Sequence, residues 1–577
     1  MKISKKQRFR SIVSLIIMML FIAGTLVWGA VSGKAQLPGG QVSVEAPPGE
    51  AYPEEQPQAE DLIKTAMEQL EQQKAVDRSL QTELESGSYT FEEPLVVLDP
   101  YDESPLTALI LFQTETATRV EIVIPGDDED TGAIHTFEEL ATRHVVPVYG
   151  LYPDQVNTIT LKLLAEDGRM LAENQVEIET EPLPDWLDDY IILTESYQGD
   201  YVQGLNYMNT QRKFAFDKNG EVRWFKTDLV IYGSNYAYMS HRFVMAKVSA
   251  GEGEGDVAII ETDRMGKIYN LYYSPYGVHH DISSLPNGNL LVTGSHGQTI
   301  EDFIYEVDIE TGEIIHTLDL KTVLQRTRFD SIRDWCHNNS VVYDESDGTI
   351  VISSNTQCTV AKLTWPEGQI KWLLSNPVEY MPRLQKYLLT PVGEGFEYSY
   401  NQHHATILPD YDHDPDTIDI LIFDNGRTRF DWDQELHRRI AAQEITAPEP
   451  YSRLVHYRIH EKEMTVEQVW QYGKERGAEL YARYRGSAQL LGNDNIMGFF
   501  DKQNDPQNDI ARSGNVVEVD TNGNLVWDAE LFTKGERGDY ADYRAFRFPI
   551  YFPDDTEFDI YTEGRNAIPQ AIQEEHR

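Results

Sequence analysis

FDKNGEVRW (216–224), TDRMGKIYN (262–270), VDIETGEIIH (307–316), TWPEGQIKW (364–372), HEKEMTVEQVW (460–470) and VDTNGNLVW (519–527) are six versions of one local pattern. Each is a polar turn followed by an apolar strand. Five carry a glycine in the turn, where a left-handed residue reverses the chain without a Cβ penalty, and Met464 stands at that place in the fifth version. Glycines 220, 266 and 312 recur every 46 residues, and four-stranded blades repeat at about 40–50 residues. Six such units predict a six-bladed β-propeller over residues 186–577, its first and last blades sharing strands. The long interval from Gly368 to Met464 predicts an insertion, placed at about residues 376–400.

The rest of the chain fits an all-β protein. It has 577 residues, enough for two or more domains, and 11% aromatics, with 32 Tyr and 9 Trp. A formal charge of −46 excludes a nucleic-acid partner, which would need a basic footprint. Residues 1–10 hold Lys2, Lys5, Lys6, Arg8 and Arg10, and residues 11–30 are uncharged. About 20 apolar residues span a bilayer, and a basic flank keeps the N-terminus inside. Residues 1–35 are therefore expected to be an N-terminal membrane helix, a signal anchor. The protein is placed in the cell membrane, single-pass with its bulk outside the cytoplasm, or secreted if the segment is a cleaved signal peptide. Residues 36–88 read as a linker followed by a short helix with Leu62, Met67, Leu70 and Ala75 as its stripe. Residues 89–185 alternate as short strands and predict a small β-sandwich without a chemical cluster.

Three histidines occupy matching places. His280, His337 and His403 each stand seven residues before a turn residue, Asn287, Asp344 and Asp410. The first strand of each propeller blade lines the central channel, so these side chains are expected to converge there. In the second copy, a hairpin whose paired residue numbers sum to 694 sets His337 opposite Gln357 and Asn339 opposite Asn355, forming one polar patch. That register also sets Cys336 opposite Cys358, either as a cross-strand disulfide or as two buried thiols. In the fourth copy Gly486 holds the histidine place, with Arg485 and Ser487 beside it as substrate-binding candidates or, for the arginine, as an exposed loop residue.

Three histidines also suit zinc with an open position. Asp281 lies one residue off register, no carboxylate completes such a set, and no metal ligand is assigned. A metal hydrolase and a non-catalytic cell-surface binding propeller are the rival functions. No phosphate-binding glycine loop is present, which disfavours a nucleotide cofactor.

HHDISSLPNGNLLV (279–292), DWCHNNSVVYDESDGTIVISSNTQ (334–357), QHHATILPD (402–410) and IFDNG (422–426) resemble the bacterial arylsulfate sulfotransferases. The resemblance implies transfer of a sulfuryl group from an aryl sulfate donor to a phenolic acceptor, with neither a nucleotide sulfate donor nor a cofactor. It implies a ping-pong mechanism through a sulfated histidine. On the matching motifs His403 would be the nucleophile. His280 and His337 would bind sulfate oxygens or shuttle the phenolic proton, and Asn339 would donate to sulfate. Members of that family form homodimers. One position departs: Asn355 stands where the family has arginine, and Arg485 is the expected replacement. The family's disulfide lies in another loop that has no matching cysteines here. His404 is expected to face away as a structural residue.

Overall fold

The computed structural model describes residues 59–570 except 189, 211–212, 228–235, 240–241, 247–256, 297–298, 325–332, 379, 432–433, 503–512 and 534–541. The expected membrane segment and the first part of the linker lie outside the described residues. Among the described residues no helix is long and apolar enough to cross a membrane.

The helix runs Ala59–Glu85. Its buried stripe is Ile63, Ala66, Leu70, Gln73, Asp77, Leu80 and Leu84. Of the expected stripe residues Leu70 is in it, Met67 packs partly buried against the same core, Ala75 is exposed, and the Leu62 side chain lies outside the described residues. The difference has a cause. The helix docks on strands Val257–Thr262 and Ile268–Ser274, and two polar residues in the stripe find partners there. Asp77 pairs with Lys267 at 3.0 Å and accepts from Tyr101 Oη at 2.6 Å. Gln73 bonds the backbone of Gly266 and Ile268.

Next comes a five-stranded antiparallel sheet organised on one long strand, Ala108–Ile124. Its first half pairs with Leu95–Leu98 and its second half with Val156–Leu164, while Ala133–Val148 runs along the other edge. The register shifts between Gln113 and Thr118, so the two halves carry separate pairings.

Six antiparallel sheets of four core strands follow among the described residues. Their first strands are Tyr236–Met239, Ile282–Ser284, Asn338–Asp344, His403–Ile407, Ser487–Leu490 and Asp542–Phe548. From the second sheet to the last, each first strand packs beside that of the sheet before. The last sheet joins distant parts of the chain: Asp542–Phe548 pairs with Leu205–Thr210, which continues to Phe214–Phe216 and Val222–Phe225. The sharing of strands between chain ends is thus present.

All six turns are left-handed, at Gly220, Gly266, Gly312, Gly368, Met464 and Gly523, with φ between 54° and 88°. The reason for glycine is plainest at Gly312, where a Cβ would lie 2.1 Å from the Ala567 carbonyl oxygen. Three of the four tryptophans that end repeats hydrogen-bond to the next turn; the Nε1 of the fourth, Trp470, is buried without a hydrogen-bond partner among the described residues. Trp224 Nε1 donates to Arg264 O at 2.7 Å, Trp372 Nε1 to Glu461 Oε1 at 2.7 Å, and Trp527 Nε1 to Lys218 O at 3.0 Å. The last of these runs from the sixth repeat back to the first. All three side chains are fully buried, and truncating one to alanine would cost about 3–5 kcal/mol.

The interval after Gly368 holds two insertions rather than one. Residues 375–402 carry the short strand Thr390–Val392, and residues 425–452 carry the helix Gln434–Ala441.

Candidate functional site

The site lies where the first strands begin. There a backbone N–H of one sheet donates to a side chain of the sheet before it. Val341 N donates to Asp281 Oδ2 at 2.9 Å, Ala405 N to Ser340 Oγ at 3.2 Å, Ala488 N to His404 Nδ1 at 3.1 Å, and Ala545 N to Ser487 Oγ at 3.1 Å. One bond type repeated four times fixes which residues are equivalent. Asp281, Ser340, His404 and Ser487 hold the linking place. The residue before each is His280, Asn339, His403 and Gly486, and in the last sheet Tyr543 precedes Arg544.

His337 therefore does not match His280 and His403, as its spacing had suggested; it stands two residues ahead of that place. It still reaches the site, because its backbone is left-handed (φ 49°) and a register shift follows between Asn338 and Val341. The rings of His280, His337, His403 and Tyr543 form a cycle with centroid separations of 4.7, 6.3, 6.0 and 5.4 Å in that order. His280 is also left-handed, with φ 52°. Such non-glycine residues store strain that surrounding structure must hold.

The same register shift removes two other expectations. Asn338, not Asn339, faces the second strand, opposite Ser354. Cys336 and Cys358 are buried free thiols. Cys336 Sγ contacts Ser354 Oγ at 3.5 Å, whereas Cys358 turns to Thr428 Oγ1 and the Asn401 backbone N–H.

His403 is the most enclosed histidine of the cycle, 2% exposed. Its Nδ1 lies 2.8 Å from Asn425 Oδ1 and 3.4 Å from Asn355 Nδ2. Asn425 donates its amide nitrogen to Ala482 O at 2.8 Å and Arg485 O at 3.0 Å. Its oxygen must then face His403 as an acceptor, so Nδ1 carries the proton and Nε2 the lone pair. Burial, then the neighbouring His337 and His280 charges, hold the His403 pKa well below the ordinary histidine range despite the Asn425 bond. The imidazole is neutral.

His337 is the opposite case. Burial works against its charge, but Nδ1 lies 2.7 Å from Asp334 Oδ2 and 2.7 Å from Glu301 Oε2. Together the carboxylates push its pKa up to about 10. Glu301 also stands 3.0 Å from His280 Nε2 and 3.5 Å from His279 Nδ1. Burial opposes the Glu301 charge, yet these histidines keep its carboxyl ionised. Burial lowers the His280 pKa, with Glu301 opposing.

A carboxylate does, then, meet two of the histidines, although none was evident from the sequence. The contacts of 3.0 and 2.7 Å are ion-pair distances in which neither His280 Nε2 nor Glu301 Oε2 has a hydrogen-bond partner among the described residues. They are shorter than the roughly 3.3 Å that ligands keep around a tetrahedral zinc.

The remaining expected residues divide. Asn339 is in the site; its Nδ2 donates to Gln402 O at 2.8 Å, and its buried Oδ1 has no partner. Asn355 is beside His403 and donates to Asn401 O at 2.7 Å. Arg485 turns toward Asp501 at 3.6 Å. Ser487 is occupied on both sides by the Ala545 backbone. His404 is structural, as expected, accepting from Ala488.

The arginine that reaches the histidines is Arg544, which donates to Asp281 Oδ1 at 2.8 Å and Asn339 O at 2.6 Å. Glu301, Asp334, Asn425, Tyr543 and Arg544 were not singled out from the sequence. An acid inside the apolar run TIEDFIYEV was the available signal for Glu301, and IFDNG contained Asn425.

The chain matches two family models, Arylsulfotransferase (ASST) over residues 180–544 and Arylsulfotransferase Ig-like domain over residues 95–181. It is 24% identical to an arylsulfate sulfotransferase of Lelliottia amnigena, over 78% of this chain and 92% of that one. It is 24% identical to an arylsulfate sulfotransferase of Escherichia coli O6:H1, over 70% and 83%. Among solved structures it is similar to a 6-phosphogluconolactonase-like protein of Bacteroides uniformis at 10% identity and TM-score 0.29, over 71% of this chain and 95% of that one. That likeness is too slight to bear on fold or function.

Proposed function

The chain belongs to the arylsulfotransferase family, and from that premise we propose that it moves a sulfuryl group from a phenolic sulfate ester to a phenolic acceptor by way of a sulfated His403. The observation that carries this reading is the neutral, buried His403, whose Nδ1–H is held by Asn425 so that Nε2 keeps its lone pair. A neutral imidazole nitrogen is a competent nucleophile.

In the first half-reaction the Nε2 lone pair forms a bond to sulfur as the bond from sulfur to the phenolic oxygen breaks. The departing phenolate takes a proton from the His280–His337 side, and the phenol leaves. In the second half an acceptor phenol gives its proton to that side as its oxygen attacks sulfur. The N–S bond breaks and returns the pair to Nε2. Histidines exchange protons in this range, and nearby cationic and amide donors stabilise charge on the sulfuryl oxygens. Asn339 and Asn355 are the amide candidates. The ring of Tyr543 is placed to contact an aryl group between His280 and His403.

The six sheets are read as the blades of a six-bladed propeller with this site on its axis. The support is the repeated inter-sheet bond, the Trp527 link from last repeat to first, and the reach of Arg544 to both Asp281 and Asn339. Residues 89–185 form the preceding domain in this proposal and 186–577 the transferase domain. The basic and uncharged residues 1–35 would hold both outside the cytoplasm, which fractionation of a tagged full-length chain tests.

Incubation with p-nitrophenyl sulfate and phenol tests the activity. Release of p-nitrophenol that depends on phenol supports transfer. Silence across several donors would favour a binding protein, and activity abolished by a chelator would favour a metal enzyme.

A further inference from the structure

The charges around His403 do not suit a sulfate ester unless one imidazole is cationic. Glu301, Asp334 and Asp281 are three carboxylates at the site, and Arg544 is its one permanent cation among the described residues. Arg544 spends its terminal nitrogens on Asp281 and the Asn339 carbonyl. Asn355, beside His403, is neutral. With all three histidines uncharged the cluster would hold a net negative charge and repel an anionic donor.

We propose that Glu301 and Asp334 are positioning residues that hold His337 as the sulfate-binding cation of this site. Both carboxylates converge on a single atom, His337 Nδ1, each at 2.7 Å. Asp334 takes the Nδ1–H hydrogen bond and Glu301 Oε2 stands against the same nitrogen as an ion pair. This leaves Nε2–H as the donor toward substrate, while the ring stands 6.3 Å from His403 at 78°. Glu301 reaches this place only through a left-handed backbone, φ 56°, inside strand Thr299–Val307, with its N–H held by Ser295 Oγ at 2.9 Å. A strand residue twisted out of its ladder and met by three histidines is a built feature. The other titratable groups facing His337 are His280 from the preceding sheet and His403 from the next; Tyr543 of the last strand stands against those two rings, and Arg544 beside it pairs with Asp281.

This inference rests on the sulfuryl-transfer reading for its consequence, but its core, a cationic His337 dependent on Glu301, is measurable without activity. Histidine-labelled full-length protein is titrated by NMR, with the His337 signal assigned by its loss in His337→Gln. In the wild type that imidazole should stay protonated past about pH 9, and in Glu301→Gln it should titrate at least about 2.5 units lower. Glu301→Gln keeps the shape and removes only the charge; Asp334→Asn, at a half-exposed residue, is the second variant and should shift the same signal downward. A His337 that titrates near the ordinary 6.5 in the wild type, or that is unmoved in both variants, overturns the proposal.

Rates give the second readout. Each variant is compared with wild type at every pH, so that ionisation of the acceptor cancels. At about pH 8.5 Glu301→Gln should lose at least about tenfold in kcat/KM, mostly through the donor KM, as expected if the His337 pKa falls to about 7.5 or below. At about pH 6, where the imidazole is protonated either way, the variant should lie within a few-fold of wild type. A loss equal at all pH values would mean a structural role and contradict the proposal. A wild type with a cationic His337 but no transfer would instead refute the functional reading.

Discussion

Asn425→Ala removes the acceptor that holds His403, the proposed nucleophile, in the tautomer with its lone pair on Nε2. In the native site Nδ1–H donates to Asn425 Oδ1 at 2.8 Å within a fully buried environment. Without it that proton is unpaired, at a cost of about 1–3 kcal/mol. The competing tautomer pays nothing comparable, because Asn355 Nδ2 stands 3.4 Å from Nδ1 and would donate to it once the proton has moved to Nε2. The population of attacking imidazole should fall accordingly, and with it the sulfation rate, by about 5- to 150-fold. The assay is the burst of p-nitrophenol from p-nitrophenyl sulfate with enzyme in stoichiometric amount and no acceptor, which isolates the first half-reaction. Asn355→Ala in the Asn425→Ala background should recover part of the loss, since it removes the group that favours the wrong tautomer. A burst at the wild-type rate in folded Asn425→Ala would refute the reasoning.

Three other outcomes are expected. Arg544→Met should cost about 3–5 kcal/mol by leaving Asp281 buried without its cation, seen as a lowered thermal midpoint, and Asp281→Asn added to it should restore part. The thiols of Cys336 and Cys358 are buried and not joined in a disulfide, so a reductant should leave the midpoint unchanged and both should react with a thiol reagent only after denaturation. Stability should decline as pH falls below about 6.5, because His403 and His404 have lowered pKa values when folded and take up protons on unfolding. His404→Asn, which can still accept from Ala488 N–H, should weaken that decline while leaving transfer intact. His337 acts with the opposite sign, its stabilisation being lost as pH rises toward about 10.

The turns were legible because each is a local event: a left-handed residue after a polar pair, repeated six times, with even Met464 placed correctly. The convergence of His280 and His403 was legible for the same reason, since the turn after each first strand fixes its phase. His337 was assigned to the right site by the wrong register, because an irregular stretch between Asn338 and Val341 leaves no mark in an apolar-polar pattern. The cysteine pairing failed with it. Glu301 enters from a second strand through a backbone twist, and Tyr543 and Arg544 arrive on a strand whose sheet is completed by residues more than 300 positions earlier. Neither event is written in a local period. Arg485 looked suitable because it flanks Gly486, but buried Asp501 draws its side chain away.

The central claim is a covalent intermediate on one nitrogen. The enzyme should be incubated with an aryl sulfate in the absence of acceptor, quenched without acid, digested, and its peptides fragmented in a mass spectrometer. One sulfuryl group on His403, which disappears when phenol is added before the quench, is the predicted result. A sulfuryl group on His280 or Tyr543 instead, or acceptor-dependent turnover with no modified residue at all, would contradict it.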